Sequence, residues 1–221
     1  MPANLLPIFV KLAGRKCLVA GAGSVAEAKI ASLFEAEAEV RVVAPQANER
    51  VRALASSGAL CWEQREFQAS DLDGIFMAIA ATSDPEVNAR IFEQSRQRSV
   101  ICNSVDDPPH CDFYFSANVR RGDLQVAIST AGESPAVAQR LRDEIERALD
   151  PGLGGWLEDV GALRREILAR CPASEERKQF LQRLAYREVG ELSTGGAEEL
   201  QLEEASQVTD ETHSAKTVVA R

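Results

Sequence analysis

The sequence predicts an α/β protein: a Rossmann-type, doubly wound parallel sheet first, then a hairpin-plus-helix segment and a small helical region. Three observations predict it. Short apolar, β-branched runs alternate with amphipathic helical stretches as far as about residue 113. The first such run ends in Gly-Ala-Gly and opens directly into a helical pattern. The run Gly-Ile-Phe-Met-Ala-Ile-Ala-Ala-Thr at 74–82 is almost wholly apolar, as a central strand covered on both faces must be.

In chain order, Lys-Cys-Leu-Val-Ala-Gly-Ala-Gly at 16–23 reads as a buried strand and a tight turn. A helix follows from Ser24, with Ala26, Ile30, Leu33 and Phe34 on one face. Glu-Val-Arg-Val-Val-Ala-Pro at 39–45 is a second strand closed by Pro45, and 47–58 is helical and stops at Gly58. Residues 59–67 read as a third strand. After the apolar strand, Ser-Asp-Pro at 83–85 starts a helix by its capping side chains and its proline, and 99–105 is one more buried strand. The grammar then changes. Residues 112–130 hold two strand-like runs around Arg-Arg-Gly-Asp, a hairpin. The next helix has Ser134 at its N-cap, Pro135 in its first turn, and Val137, Leu141, Ile145 and Leu149 four apart. A Gly-rich joint at 150–155 leads to helices at about 155–170 and 174–190, the second started by Ser174. The domain reading is 1–113 for nucleotide binding, 114–150 for dimerisation and substrate, 151–192 helical, and 193–221 a polar, acidic, disordered tail.

Composition narrows the function. The 221 residues carry 45% apolar content and a net charge of -9, which disfavours nucleic-acid and anionic-membrane partners. No stretch reaches the roughly 18 apolar residues of a membrane span, and the N-terminus does not read as a signal peptide, so the expected compartment is the cytoplasm. Five cysteines without Cys-x-x-Cys spacing read as buried or half-buried free thiols, and two histidines are too few for a His-based metal cage or a Ser-His-Asp triad.

Two motifs carry chemistry. In Gly-Ala-Gly-Ser-Val-Ala, Gly21 permits the tight turn, Gly23 lets the backbone approach a pyrophosphate, and Ala26 keeps helix and strand close. The amides at Ser24 and Val25 open the helix toward the phosphates. No acid stands at the tip of the second strand to bind a ribose; groups around Pro45 and Gln46 are the candidates there, and Arg41 raises the alternative of a phosphorylated ribose. Ala81 and Thr82, at the end of the apolar strand, are further cofactor contacts. The second motif is Asp106-Asp107, two carboxylates that also follow a buried strand. Turn capping before Pro108 and proton transfer are both open readings.

Taken together, "LPIFVKL", "CLVAGAGSVAEAK", "DLDGIFMAIAATSDPEVN", "CNSVDDPPHCDFYFSANVRRGDLQVAIST" and "GESPAVAQRLRDEIE" closely resemble the precorrin-2 dehydrogenase/sirohydrochlorin ferrochelatase family, over about residues 5–150. The resemblance implies oxidation of precorrin-2 with NAD, then insertion of ferrous iron into sirohydrochlorin, in a homodimer. It implies that Asp106 serves both steps, with Asp107 as the second candidate. It also makes Arg120, Arg121 and the helix start at Ser134 candidates for the substrate's carboxylates. His110 and Cys111 are read chiefly as structural. Two departures stand out: Ala28 replaces an arginine, and Glu37 stands where a glycine commonly ends the first helix. Thr130, beside Ser129, occupies the place of a serine phosphorylated in relatives, and no methyltransferase domain is expected to follow. Dehydrogenase activity without chelation, and a non-catalytic nucleotide or tetrapyrrole carrier, are the alternatives.

Overall fold

A computed structural model describes residues 5–186; the expected tail at 193–221 and the end of the last predicted helix lie outside the described residues. The chain forms two compact units. Among the described residues, the first holds 5–115 and Ser129–Ser134, and the second Ser116–Ile128 and 135–186.

The first unit contains β1 (Lys16–Ala20), α1 (Ser24–Glu35), β2 (Glu39–Val43), α2 (Glu49–Ser56), β3 (Cys61–Glu63), β4 (Met77–Ala80), α3 (Pro85–Gln97) and β5 (Ile101–Ser104). The five strands are parallel in the order β3-β2-β1-β4-β5. Alternation along β1 splits the core in two. Cys17 and Val19 join Ile30, Leu33, Val42, Val51 and Ile79 on the α1–α2 side. Leu18 and Ala20 join Val43, Ala78, Ala80, Ile91 and Phe92 on the α3 side. Both faces of β1 and β4 are thus buried, which is why those two strands read as apolar runs. The sheet order reverses at β1, so the carboxyl ends of β1 and β4 flank a crevice of the kind that binds ligands in such sheets.

The helix ends follow from local chemistry. Asp84 caps α3, its Oδ1 accepting from Glu86 N at 2.9 Å, with Pro85 in the first turn. α1 closes with Ala38 N–H donating to Leu33 O and Glu37 N–H to Phe34 O. This closure forces Glu37 to φ 60°, the left-handed conformation a glycine would take without strain. Strand β3 is shorter than the expected 59–67. It is an edge strand, its partner β2 ends at Val43, and the backbone turns at once, Arg65 N–H donating to Glu63 O at 2.9 Å.

The second unit pairs β6 (Ala117–Arg121) and β7 (Leu124–Ile128) antiparallel around Gly122-Asp123, the expected hairpin. It continues with α4 (Pro135–Ala148), α5 (Leu153–Arg170) and α6 (Glu175–Leu184). The Gly-rich joint is shorter than expected, because Gly154 and Gly155 lie inside α5. A Cβ on Gly154 would stand 2.9 Å from Arg121 C and Gly122 N, so the helix can approach the hairpin turn only with glycine there. Ser174 caps α6, accepting from Arg177 N at 3.1 Å. Along α4 only Ala138 is buried; Leu141 and Ile145 are half-buried, as is Leu149 just past its end, and Val137 is exposed.

Candidate active site

The glycine turn sits between β1 and α1. Gly21 has φ 109°, and its N–H donates to Val43 O at 2.9 Å. A Cβ there would stand 2.2 Å from Ala81 O and 2.6 Å from Ala81 C, so the turn lies directly against the end of β4. Gly23 differs. It is the N-cap of α1, has ordinary extended backbone, and a Cβ on it would meet nothing within 4 Å. No side chain caps α1, whose first residues Ser24 and Val25 are exposed, and the first helical bond is Glu27 N–H to Gly23 O at 2.9 Å. Ala26 is fully buried against the sheet.

Pro45 and Gln46 form the exposed bend after β2. Asn48 ties this bend to the glycine turn. Its N–H donates to Ala22 O at 3.0 Å, its Nδ2 to Glu27 Oε2 at 2.7 Å, and its Oδ1 accepts from Val51 N at 2.9 Å as the cap of α2. Ala81 N–H donates to Ala20 O at 2.8 Å. Thr82 is locked by Asn88, whose Oδ1 accepts from Thr82 N at 3.1 Å and from Thr82 Oγ1 at 2.7 Å. Asn48 and Asn88 escaped the sequence reading, although both stand at the first turns of helices, where Asn commonly bonds backbone.

Arg41 is not at this edge. It pairs with Leu18 in the middle of β2, donates to Asp71 O, and forms ion pairs with Glu63 and Asp71. Its guanidinium belongs to a charge network with Arg65, which donates to Asp71 Oδ2 at 2.9 Å. The suggestion of a ribose-phosphate contact at Arg41 is therefore corrected.

Asp106 follows β5 on the same edge, with Val105 N–H donating to Ala80 O at 2.9 Å. It is exposed and holds φ 59°. Strained non-glycine backbone of this kind is characteristic of functional turns. Its neighbour is occupied differently. Asp107 accepts from His110 Nδ1–H at 2.6 Å, the carboxylate having only acceptors to offer. His110 also stacks edge-on against Phe92, at 5.2 Å between ring centroids. Cys111 Sγ–H points to Ser104 O at 3.1 Å and Asp107 O at 3.3 Å. Ser104 Oγ, buried at the end of β5, has no hydrogen-bond partner among the described residues. The cysteines are free, and Cys61 on the edge strand is exposed rather than buried or half-buried.

One cation near Asp106 went unnoticed in the sequence. Lys29, on α1, places Nζ 3.8 Å from the Phe115 ring centroid. Burial holds its pKa below the usual lysine value, and the Asp106 carboxylate opposes that shift. Lys29 stands three residues after buried Ala26 and four before buried Leu33, so it borders the apolar face of α1 and is half-buried there.

Of the remaining candidates, Arg120 is exposed on β6. Arg121 donates to Glu146 Oε1 at 3.2 Å and Glu146 O at 2.9 Å, within the second unit. Ser134 N–H donates to Thr130 Oγ1 at 3.2 Å, and Thr130 Oγ1–H to Ser134 O at 3.1 Å, in a loop whose Ala131 and Gly132 are both left-handed.

Fold and site define a dinucleotide-binding α/β protein. A family model for NAD(P)-binding domains matches residues 8–117, and one for the central part of sirohaem biosynthesis proteins matches 121–148. The siroheme synthase of Neisseria meningitidis serogroup C (strain 053442) is 40% identical over 177 residues, covering 80% of this chain and 37% of that protein. Siroheme synthase 1 of Pectobacterium atrosepticum is 40% identical over 202 residues, covering 91% of this chain and 41% of that one. Among solved structures, SirC, a precorrin-2 dehydrogenase, matches with a TM-score of 0.73 at 25% identity, covering 91% of this chain and 100% of that chain. The chain belongs to the precorrin-2 dehydrogenase/sirohydrochlorin ferrochelatase family. It spans about two-fifths of the length of the curated siroheme synthases it matches.

Its cofactor is a nicotinamide dinucleotide, and the residues fit one. Among the described residues, the space beside Gly23 is open, no side chain caps α1, and a buried hydroxyl at the end of β5 has no partner. Among the described residues no helix is long and apolar enough to cross a membrane.

Proposed function

We propose that this chain oxidises precorrin-2 to sirohydrochlorin with NAD, and that Asp106 accepts the proton released as the macrocycle gains conjugation. The observation that carries the reading is the strained turn at Asp106 on the same sheet edge as the glycine turn. The dinucleotide, when bound, supplies the hydride acceptor. Gly21, Gly23, Ser24 and Val25 form its phosphate cradle. Pro45 and Gln46 border the ribose end, and Ala81 and Thr82 line the floor. NAD rather than NADP is favoured by Arg41, whose charge is taken up by Glu63 and Asp71. Asp106 is the candidate base because Asp107 is engaged by His110.

The reading extends to the substrate and the assembly. Arg120 and the loop at Ser134 are offered as contacts for substrate carboxylates; Arg121, held by Glu146, acts through the hairpin instead. Ferrous iron insertion into sirohydrochlorin is proposed as a second step at Asp106, with iron as substrate. A homodimer is supported by the half-exposed apolar stripe of α4 and by exposed Leu6, Ile8 and Phe9. The domain division at 113, 150 and 192 and a cytoplasmic setting are part of the same proposal.

The test is anaerobic turnover of precorrin-2 with NAD and NADP in parallel, following reduced nicotinamide. Faster reduction of NAD is expected. Binding of NAD without its reduction would leave only the carrier reading. Sirohydrochlorin with ferrous iron, against a protein-free control, tests the second step; no rate above the control removes it.

A further inference from the structure

Lys29 is half-buried, and its ammonium rests on the face of Phe115. An ammonium carries three donors, yet among the described residues no oxygen accepts from Nζ and no carboxylate lies within ion-pair distance. Burial disfavours its charge, and Asp106 is near enough to counter that without closing on it. A cation partly removed from water with open donors is an unfavourable arrangement on its own, and an arriving anion would relieve it. Two neighbouring carboxylates in the sequence are engaged elsewhere: Glu27 accepts from Asn48, and Asp107 from His110.

We propose that Lys29 receives a carboxylate of the tetrapyrrole beside Asp106, so that one side chain anchors the acidic rim of the macrocycle while its neighbour takes the proton. This deepens the oxidation proposed above and rests on it.

The test compares the wild-type chain with Lys29→Met and Lys29→Arg. Lys29→Met raises KM for precorrin-2 by about tenfold, the usual scale of a lost charge-assisted hydrogen bond, and leaves kcat within about threefold. Its NAD affinity and its urea midpoint stay at wild-type values, and Lys29→Arg restores most of KM. An unchanged KM in Lys29→Met overturns the inference. So does a parallel loss of NAD affinity, which would make Lys29 a cofactor contact.

A second readout needs no turnover. The five lysines (Lys11, Lys16, Lys29, Lys178 and Lys216) are labelled by reductive 13C-methylation, and the Lys29 signal is identified by its loss in Lys29→Arg. Uroporphyrin, an octacarboxylic tetrapyrrole, raises the titration midpoint of that signal if a carboxylate docks there; no movement overturns the proposal. Failure of the wild-type chain to reduce NAD with precorrin-2 sinks the oxidation itself. A silent Lys29 signal in a chain that does turn over sinks only the anchor.

Discussion

Two glycines of one motif should fail in opposite ways when each receives a methyl group. In Gly21→Ala the new Cβ would stand 2.2 Å from Ala81 O and 3.0 Å from Thr82 N. Those are backbone atoms at the end of a buried strand, and they cannot swing aside. The residue would also be held at φ 109°, outside the range of L side chains. Backbone strain of this kind costs about 1–3 kcal/mol, and overpacking against a fixed neighbour about 1–3 kcal/mol more. A loss of about 2–6 kcal/mol is a large part of a typical domain's stability and lowers Tm by at least about 4 °C. In Gly23→Ala the backbone is ordinary and the Cβ meets nothing within 4 Å, so stability stays within about 1 kcal/mol. If Gly23 forms the proposed phosphate cradle, the methyl group stands where the pyrophosphate must approach α1, and NAD affinity falls at least about tenfold. Urea melts and NAD titration of both variants make the comparison. Wild-type stability in Gly21→Ala, or wild-type NAD affinity in Gly23→Ala, would refute the division of labour.

Asp106→Asn keeps the fold, since Asn tolerates the left-handed turn, and keeps NAD binding while precorrin-2 oxidation falls about a hundredfold or more; full activity would discard Asp106 as the base. Glu37→Gly relieves φ 60° at the end of α1 and stabilises the chain by about 1 kcal/mol, read as a higher urea midpoint at unchanged slope. Burial pushes the thiols of Cys17 and Cys102 up from 9.0 to about 11 and about 12. Their protonated forms are favoured in the folded state, so the stability they contribute is complete below pH 9.0 and is lost as pH rises through about 11 and about 12. A urea midpoint that holds steady as pH is raised above 9.0 would contradict this. At neutral pH a thiol reagent should modify exposed Cys61 in the native chain and reach Cys17 only on unfolding.

The sheet was legible because its strands are buried on both faces and its helices are not. Ile-Phe-Met-Ala-Ile-Ala at 75–80 can be little else in a chain of this polarity, and Asp84-Pro85 declares a helix start without help from tertiary contacts. The glycine turn was legible for the same local reason. What lay beyond the sequence was set by contacts between distant segments. Nothing in Glu-Val-Arg-Val-Val says that Arg41 will be claimed by Asp71, thirty residues on. Gly154 reads as a breaker until the hairpin turn is found pressed against it inside a helix. Lys29 borders the apolar face of α1, but nothing local says that Phe115, from the far side of the acidic turn, will lie under its ammonium.

The two adjacent aspartates show how far one residue's step can separate roles. Both follow the same buried strand, and composition treats them alike. The backbone does not. Asp106 takes the left-handed turn and stays exposed, while Asp107 returns to φ -133° and begins a short 3₁₀ turn at Pro108–His110. From there its carboxylate meets the His110 ring, which Phe92 holds edge-on from α3. Turn capping and proton chemistry, alternatives when the pair is read as a unit, can therefore both be present, one on each residue. On that argument Asp107→Asn weakens the His110 contact and the turn without removing the proton acceptor, so it should lower stability more than it lowers the rate per folded molecule. Measured together, urea midpoint and kcat separate the two aspartates. If Asp107→Asn abolishes turnover in a chain that melts normally, the roles have been given to the wrong neighbours.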